Sequence, residues 1–297
     1  MSRNNVKCKV KSDMFDAKKV KQQIVEWIAA YFRDNASPET KAVIGISGGK
    51  DSSVAAALCV EALGRDRVLG VLMPQGEQPD IGVSYALCKA LGIEYIEIDI
   101  EKSAQAVYDE IAGAGIELNN VALFNTPARI RMTVLYAVSG IVGGRVVNTS
   151  NLSEDWVGYA TKFGDSAGDF SPLSDLTATE VKAVGRDLGL APEFVDKVPV
   201  DGLSGKTDEE NLGFSYDVLD RYIREGVCEG ENPRGGENPC EGENPCEGEK
   251  LRKKIDALHR MNLHKVMPMP VFRTGCKSGA PIASGDTEQP LFNGEHV

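Results

Sequence analysis

The sequence has 297 residues, 42% hydrophobic and 26% charged, enough to bury a sizeable core without disulfide staples. It has no apolar run long enough for a membrane helix, and its net charge of −11 argues against a general nucleic-acid binder held by phosphate contacts. The N-terminal MSRNNVKCKVKSD has no apolar h-region, and the seven cysteines (8, 59, 88, 228, 240, 246 and 276) form no CxxC pair, so a cytoplasmic protein with reduced thiols is expected.

Residues 16–33 place Val20, Ile24, Trp27, Ile28 and Tyr31 at helical spacing and predict an amphipathic surface helix. KAVIGI (41–46) reads as a buried strand, SGGKDSS follows, and 54–64 is a helix closing on a glycine. Strands at 67–73, 93–100 and 145–150 alternate with helices at 80–92, 102–112 and 125–144, the last with Pro127 near its first turn. This alternation predicts a doubly wound α/β domain with a parallel sheet. Beyond residue 150 the pattern is helical, at 153–160, 177–189, 209–224 and 250–263.

Residues 228–249 repeat a CEGENP unit with no aliphatic or aromatic side chain; seven glutamates and one arginine make a polar insert expected to be disordered. The domain is expected to span 1–272, with a flexible tail at 273–297.

Chemistry concentrates after the first strand, at Gly45, Ile46, Ser47, Gly48, Gly49, Lys50, Asp51, Ser52 and Ser53. A glycine-rich strand-to-helix turn lets backbone amides approach a phosphate, which the helix N-terminus also attracts. Neither GxxxxGK[ST] nor GxGxxG fits these residues. SGGxDS does, and it resembles the pyrophosphate loop of the N-type ATP pyrophosphatases, whose fold is adenine nucleotide α-hydrolase-like. A second block, VNTSNLSEDWVGYATKFGDSAGDFSPLSDL (147–176), is similar to the pattern of the ammonia-dependent NAD synthetases. The likeness continues at ARIRM (128–132), TDEENLGFSYDVLD (207–220) and His264-Lys265, and covers most of 15–272.

The resemblance implies amidation of deamido-NAD by ammonia, with ATP giving AMP and pyrophosphate through an adenylated intermediate. It implies that the loop and Thr149 hold ATP, that Asp51 and Glu154 bind Mg²⁺, and that Arg129, Lys162, Asp169, His264 and Lys265 contact deamido-NAD. Asp165, Asp208 and Glu209 are further candidates, Arg131 is expected in a structural ion pair, and a homodimer is expected. No protein nucleophile is required. Two positions depart from the pattern: Thr177 and Ala178 follow PLxxL where many members carry a lysine, and Val200 replaces a hydroxyl. Lys50 could supply the missing charge. The alternatives are another SGGxDS adenylating ligase and a nucleotide-binding module without catalysis.

Overall fold

The computed structural model describes residues 15–197, 207–226 and 246–272. Val200, most of the cysteine-containing repeat and the stretch from 273 onward lie outside these residues.

Helix α1 (Ala17–Asn35) starts at Asp16, whose carboxylate accepts the Lys19 amide at 3.0 Å. Strand β1 (Ala42–Gly45), helix α2 (Lys50–Leu63), strand β2 (Val68–Leu72), helix α3 (Ile81–Leu91) and strand β3 (Glu94–Glu97) follow in alternation. Helices α4 (Glu101–Gly113) and α5 (Asn120–Val142) lead to β4 (Arg145–Val146). Among the described residues these strands form one parallel sheet in the order β3-β2-β1-β4. The chain leaves β1 for β2 on one side and returns to β4 on the other, so a crevice opens at the carboxyl end of β1.

Side chains alternate across this sheet. Ala42, Ile44, Val68 and Leu72 pack with α1, α2 and α3, while Val43, Leu69 and Val71 pack with Ile130, Val134 and Val138 of α5. Helices on both faces give the doubly wound arrangement expected.

Helix α5 differs from expectation. It begins at Asn120, capped by the Asn119 side chain on the Ala122 amide at 2.9 Å, so Pro127 lies in its interior and not in its first turn. Proline cannot bond the carbonyl four residues back. That carbonyl, Leu123 O, instead accepts the Tyr108 hydroxyl from α4 at 3.0 Å. A tertiary partner therefore replaces the bond the proline removes.

The fourth strand is shorter than predicted. After Val147 bridges Phe170, the polar residues leave the ladder: Asn148 donates to the Asp165 carbonyl at 3.0 Å and accepts the Ser150 amide at 3.0 Å. The remaining helices are α6 (Leu152–Val157), α7 (Ala178–Asp187), α8 (Pro192–Val195), α9 (Asp208–Leu212), α10 (Tyr216–Glu225) and α11 (Cys246–Val266). The single helix expected at 209–224 is broken between α9 and α10, where Ser215 starts a new helix by accepting the Val218 amide. Helix α11 begins four residues inside the repeat that ends at 249. A second core of Val157, Leu212, Phe214, Leu219 and Ile255 joins α6, α9, α10 and α11.

Residues up to Met267 form one compact unit; of the stretch beyond it, 268–272 are described and carry no helix or strand.

Candidate functional site

The glycine-rich turn sits at the mouth of the crevice. Ile46 belongs to the core, nearly fully buried, with its amide on Val71 O at 3.0 Å. Burying such a side chain stabilises by about 2 kcal/mol, which fixes the loop at its first residue. Gly48 has φ +76°, a region that side-chain-bearing residues rarely adopt, and a Cβ there would meet Ser84 Oγ at 3.0 Å. Ser47 and Ser52 hydroxyls lie 3.1 Å apart, and Ser52 and Ser53 donate to the Gly49 carbonyl at 3.1 and 2.8 Å. Gly49 gives α2 no side-chain cap, so the first amides of that helix face the crevice without one.

Lys50 is the first residue of α2 and only 4% exposed. Its ammonium lies 2.7 Å from Asp51 Oδ2 and 3.6 Å from Glu154 Oε1. Burial works against its charge, but Asp51 and Glu154 overcome this and hold the Lys50 pKa above its ordinary value. Burial, then the charge of Asp51, push the Glu154 carboxyl upward. Asn151 caps α6 by accepting the Glu154 amide at 3.1 Å and donates from Nδ2 to Asp51 Oδ1 at 2.9 Å.

Two cavities flank this pair. One, of about 140 Å³, is lined by Ser47, Gly49, Asp51, Thr149, Glu154 and Asp165. The other, of about 160 Å³, is lined by Lys50, Ala178, Thr179, Lys182, Asp208 and Tyr216. Ala178, at the position where the resembled pattern has a lysine, thus shares a wall with Lys50. Burial raises the Asp165 and Asp208 pKa values. Asp155 is pushed up to about 6 by burial and by Asp165.

The residues expected on deamido-NAD separate into two groups. Arg129 Nε donates to the Lys162 carbonyl at 3.3 Å, and Lys162 Nζ donates to the His264 carbonyl at 2.6 Å, so these three gather on one surface. Lys265 turns inward to the Gly158 carbonyl at 2.7 Å. Asp169 accepts the Val146 amide at 2.7 Å and the Tyr136 hydroxyl at 3.5 Å, beside β4. Asp208 and Glu209 open α9 behind a Thr207–Glu210 capping box, and both line the second cavity. The ion pair expected at Arg131 is instead a hydrogen bond to the Met73 carbonyl at 3.0 Å, with burial lowering its pKa.

Asn151, Lys182 and Tyr216 were missed from the sequence. Asn151 had a local signal, a capping residue directly before a helix with an acid three residues on. Lys182 and Tyr216 had none, since only the meeting of α7 with α10 brings them to the cavity.

A parallel sheet with an SGGxDS loop at its carboxyl edge, sharing a cavity with Glu154 of α6, defines an α/β protein of the adenine-nucleotide type. The profile of the NAD synthase family matches residues 20–268. The chain belongs to the NAD synthase family. It is 38% identical over 203 residues to an NH(3)-dependent NAD(+) synthetase of Pyrococcus furiosus, covering 68% of this chain and 77% of that one. The corresponding protein of Methanocaldococcus jannaschii is 40% identical over 213 residues, covering 68% and 80%. Among solved structures, NMN synthetase from Francisella tularensis superposes with a TM-score of 0.72 at 28% identity, covering 87% of this chain and 99% of that one. NH3-dependent NAD synthetase from Campylobacter jejuni superposes at 0.65 and 26%, covering 88% and 100%.

Proposed function

We infer that this chain joins ammonia to the nicotinate carboxylate of deamido-NAD, with ATP as co-substrate, and releases NAD, AMP and pyrophosphate. The observation that carries this reading is the cavity where the loop residues Ser47, Gly49 and Asp51 meet Thr149 and Glu154. In the first step a carboxylate oxygen of the nicotinate attacks the α-phosphorus of ATP. The bond to the bridging oxygen breaks and pyrophosphate leaves toward the loop amides. In the second step ammonia attacks the acyl carbon of the adenylate, loses a proton, and AMP departs. Both steps depend on positioning and charge neutralisation, with no protein nucleophile.

Asp51 and Glu154 fit a magnesium ion. Their hard oxygens already converge on one cation, the Lys50 ammonium. Among the described residues no group of three or more His, Cys, Asp or Glu could enclose a metal, which suits an ion held by two carboxylates and substrate phosphates. When bound, the ion would offset charge on the phosphates. Thr149 and the Ser47 and Ser52 hydroxyls line the ATP side. Arg129, Lys162 and His264 offer polar groups to deamido-NAD, and Asp169 sits with Tyr136 beside the outer face of α5.

The exposed apolar residues of α5 support a homodimer. Val121, Phe124, Tyr136, Ile141 and Val142 are exposed on this helix, Ile141 to 84%. Cys59 and Cys88 are free thiols, in keeping with the cytoplasm. Among the described residues no helix is long and apolar enough to cross a membrane.

The likeness to a structure described as an NMN synthetase favours one second reading, amidation of nicotinate mononucleotide at the same site. Purified protein supplied with ATP, Mg²⁺ and ammonium, and with either deamido-NAD or nicotinate mononucleotide, tests both. Equimolar AMP, pyrophosphate and NAD with the first substrate is the expected result. Preference for the mononucleotide selects the second reading, and no AMP with either rejects both.

A further inference from the structure

Lys50 occupies an unusual place for a positive charge. It is the first residue of α2, inside the phosphate loop, and its ammonium is buried against both carboxylates assigned to the metal. Taking an ammonium out of water costs several kcal/mol unless close opposite charges compensate it. Asp51 and Glu154 supply that compensation, and Lys50 in turn is the counter-charge that lets two buried carboxylates lie side by side. A divalent cation bound by the same oxygens would then sit within a few ångströms of the ammonium. Two like charges at that separation repel strongly at low effective dielectric. The ammonium must therefore move when the ion arrives, and it needs another anion.

The side chain already borders a second cavity, beyond Ala178 and Thr179, so there is room for it to turn. The loop amides and the N-terminus of α2, where Lys50 starts, favour polyphosphate at the mouth of the site.

We propose that Lys50 is an internal cation that holds the Asp51–Glu154 pair until nucleotide and metal arrive together, and that it then transfers its ammonium from the carboxylates to an oxygen of the polyphosphate. This rests on the reading of Asp51 and Glu154 as metal carboxylates. Lys50 is a positioning residue that keeps its proton throughout. Metal alone is disfavoured because it displaces the ammonium from two carboxylates within 3.6 Å toward the more distant Asp208 on the wall of the second cavity. Metal with polyphosphate is favoured because each cation gains an anion. The site is thereby closed to free divalent ions and opened by the nucleotide.

The test is Mn²⁺ binding to the full chain without nucleotide, followed by electron paramagnetic resonance at fixed, mildly alkaline pH, with folding checked by circular dichroism. Removing one unit charge next to a divalent ion should tighten its binding by at least about tenfold, so Lys50→Met should bind Mn²⁺ that much more tightly than wild type. Lys50→Arg should stay as weak as wild type. With Mn²⁺ saturating, Lys50→Met should bind a non-hydrolysable ATP analogue several-fold more weakly. Unchanged or weaker Mn²⁺ binding in a folded Lys50→Met protein overturns the proposal. Should that variant not fold, wild type decides: a dissociation constant for Mn²⁺ alone on the order of 10 µM or below means the ammonium is no barrier, and likewise overturns it. Asp51→Asn in the Lys50→Met background separates the two levels. If tight Mn²⁺ binding survives it, the metal assignment itself fails; if tight binding is lost, the assignment stands.

Discussion

Asn151 Nδ2 donates to Asp51 Oδ1 at 2.9 Å, tying the turn before α6 to the phosphate loop across the crevice. The same side chain caps α6 through the Glu154 amide. One residue therefore sets the position of both carboxylates. Asn151→Ala should lose about 1 kcal/mol of stability from the cap and at least about tenfold in kcat/KM. Asn151→Asp keeps the cap but places a buried carboxylate against Asp51, so both its melting temperature and its activity should fall below those of Asn151→Ala. Equal activity in Asn151→Asp and wild type would show that the amide donor is dispensable.

Asp51 and Glu154 should separate activity from stability. Both alanine variants should abolish NAD formation. Asp51→Ala also strips Lys50 of its 2.7 Å partner and should cost about 3 kcal/mol, the typical penalty for breaking a buried pair. Glu154→Gln removes a carboxylate whose charged form burial disfavours, so its melting temperature should equal or exceed that of wild type. Thermal melts run beside the activity assay check this. Activity retained in Glu154→Gln would remove Glu154 from the metal assignment.

The strand–helix alternation up to residue 150 was legible because short continuous apolar runs and glycine stops are local signals, and the loop between β1 and α2 was legible for the same reason. What was not legible depends on contacts distant in sequence. Pro127 reads as a helix start, and only the Tyr108 hydroxyl on Leu123 O lets α5 run on through it. Lys50 reads as one more loop residue until α6 brings Glu154 beside it. Lys265 follows His264 in the chain, and only the packing of α11 on α6 brings its ammonium to the Gly158 carbonyl.

Gly158 should tolerate no side chain. It ends α6 with φ +66°, and a Cβ would lie 2.0 Å from Asn262 Cβ on α11. Asn262 and Lys265 both bond this turn, through the Val157 and Gly158 carbonyls. Gly158→Ala should push α11 away, lose at least about 2 kcal/mol, and release the Lys162–His264 contact. Hydrogen exchange should show faster exchange confined first to α6 and α11. Wild-type protection there would mean that α11 can shift without detaching.

Cys59 and Cys88 should be silent thiols. Both are fully buried, and burial pushes Cys59 up to about 12 and Cys88 up to about 11. A raised thiol pKa keeps the unreactive protonated form at neutral and mildly alkaline pH. Iodoacetamide should leave both unmodified in the folded protein near pH 8 and label both after denaturation, as read by peptide mass spectrometry. Labelling of either in the native state would reveal an opening of the layer between α2 and α3.

The exposed face of α5 should mediate self-association. Ile130, Val134 and Val138 pack toward the sheet, while Tyr136 on the far side, Val121 and Phe124 nearer the start and Ile141 beyond the sheet edge are exposed to solvent. A helix with apolar residues on two sides needs two partners, and the described chain supplies one. A two-fold pairing would set the α5 helices against each other and bring Tyr136, with its bond to Asp169, to the seam. Light scattering should give twice the chain mass at micromolar concentration. Ile141→Arg would place charges in that seam and should yield a folded monomer with unchanged circular dichroism. If Asp169 meets substrate across the seam, the monomer should also lose affinity for deamido-NAD. A wild-type monomer, or a dimer that survives Ile141→Arg unweakened, would move the interface elsewhere.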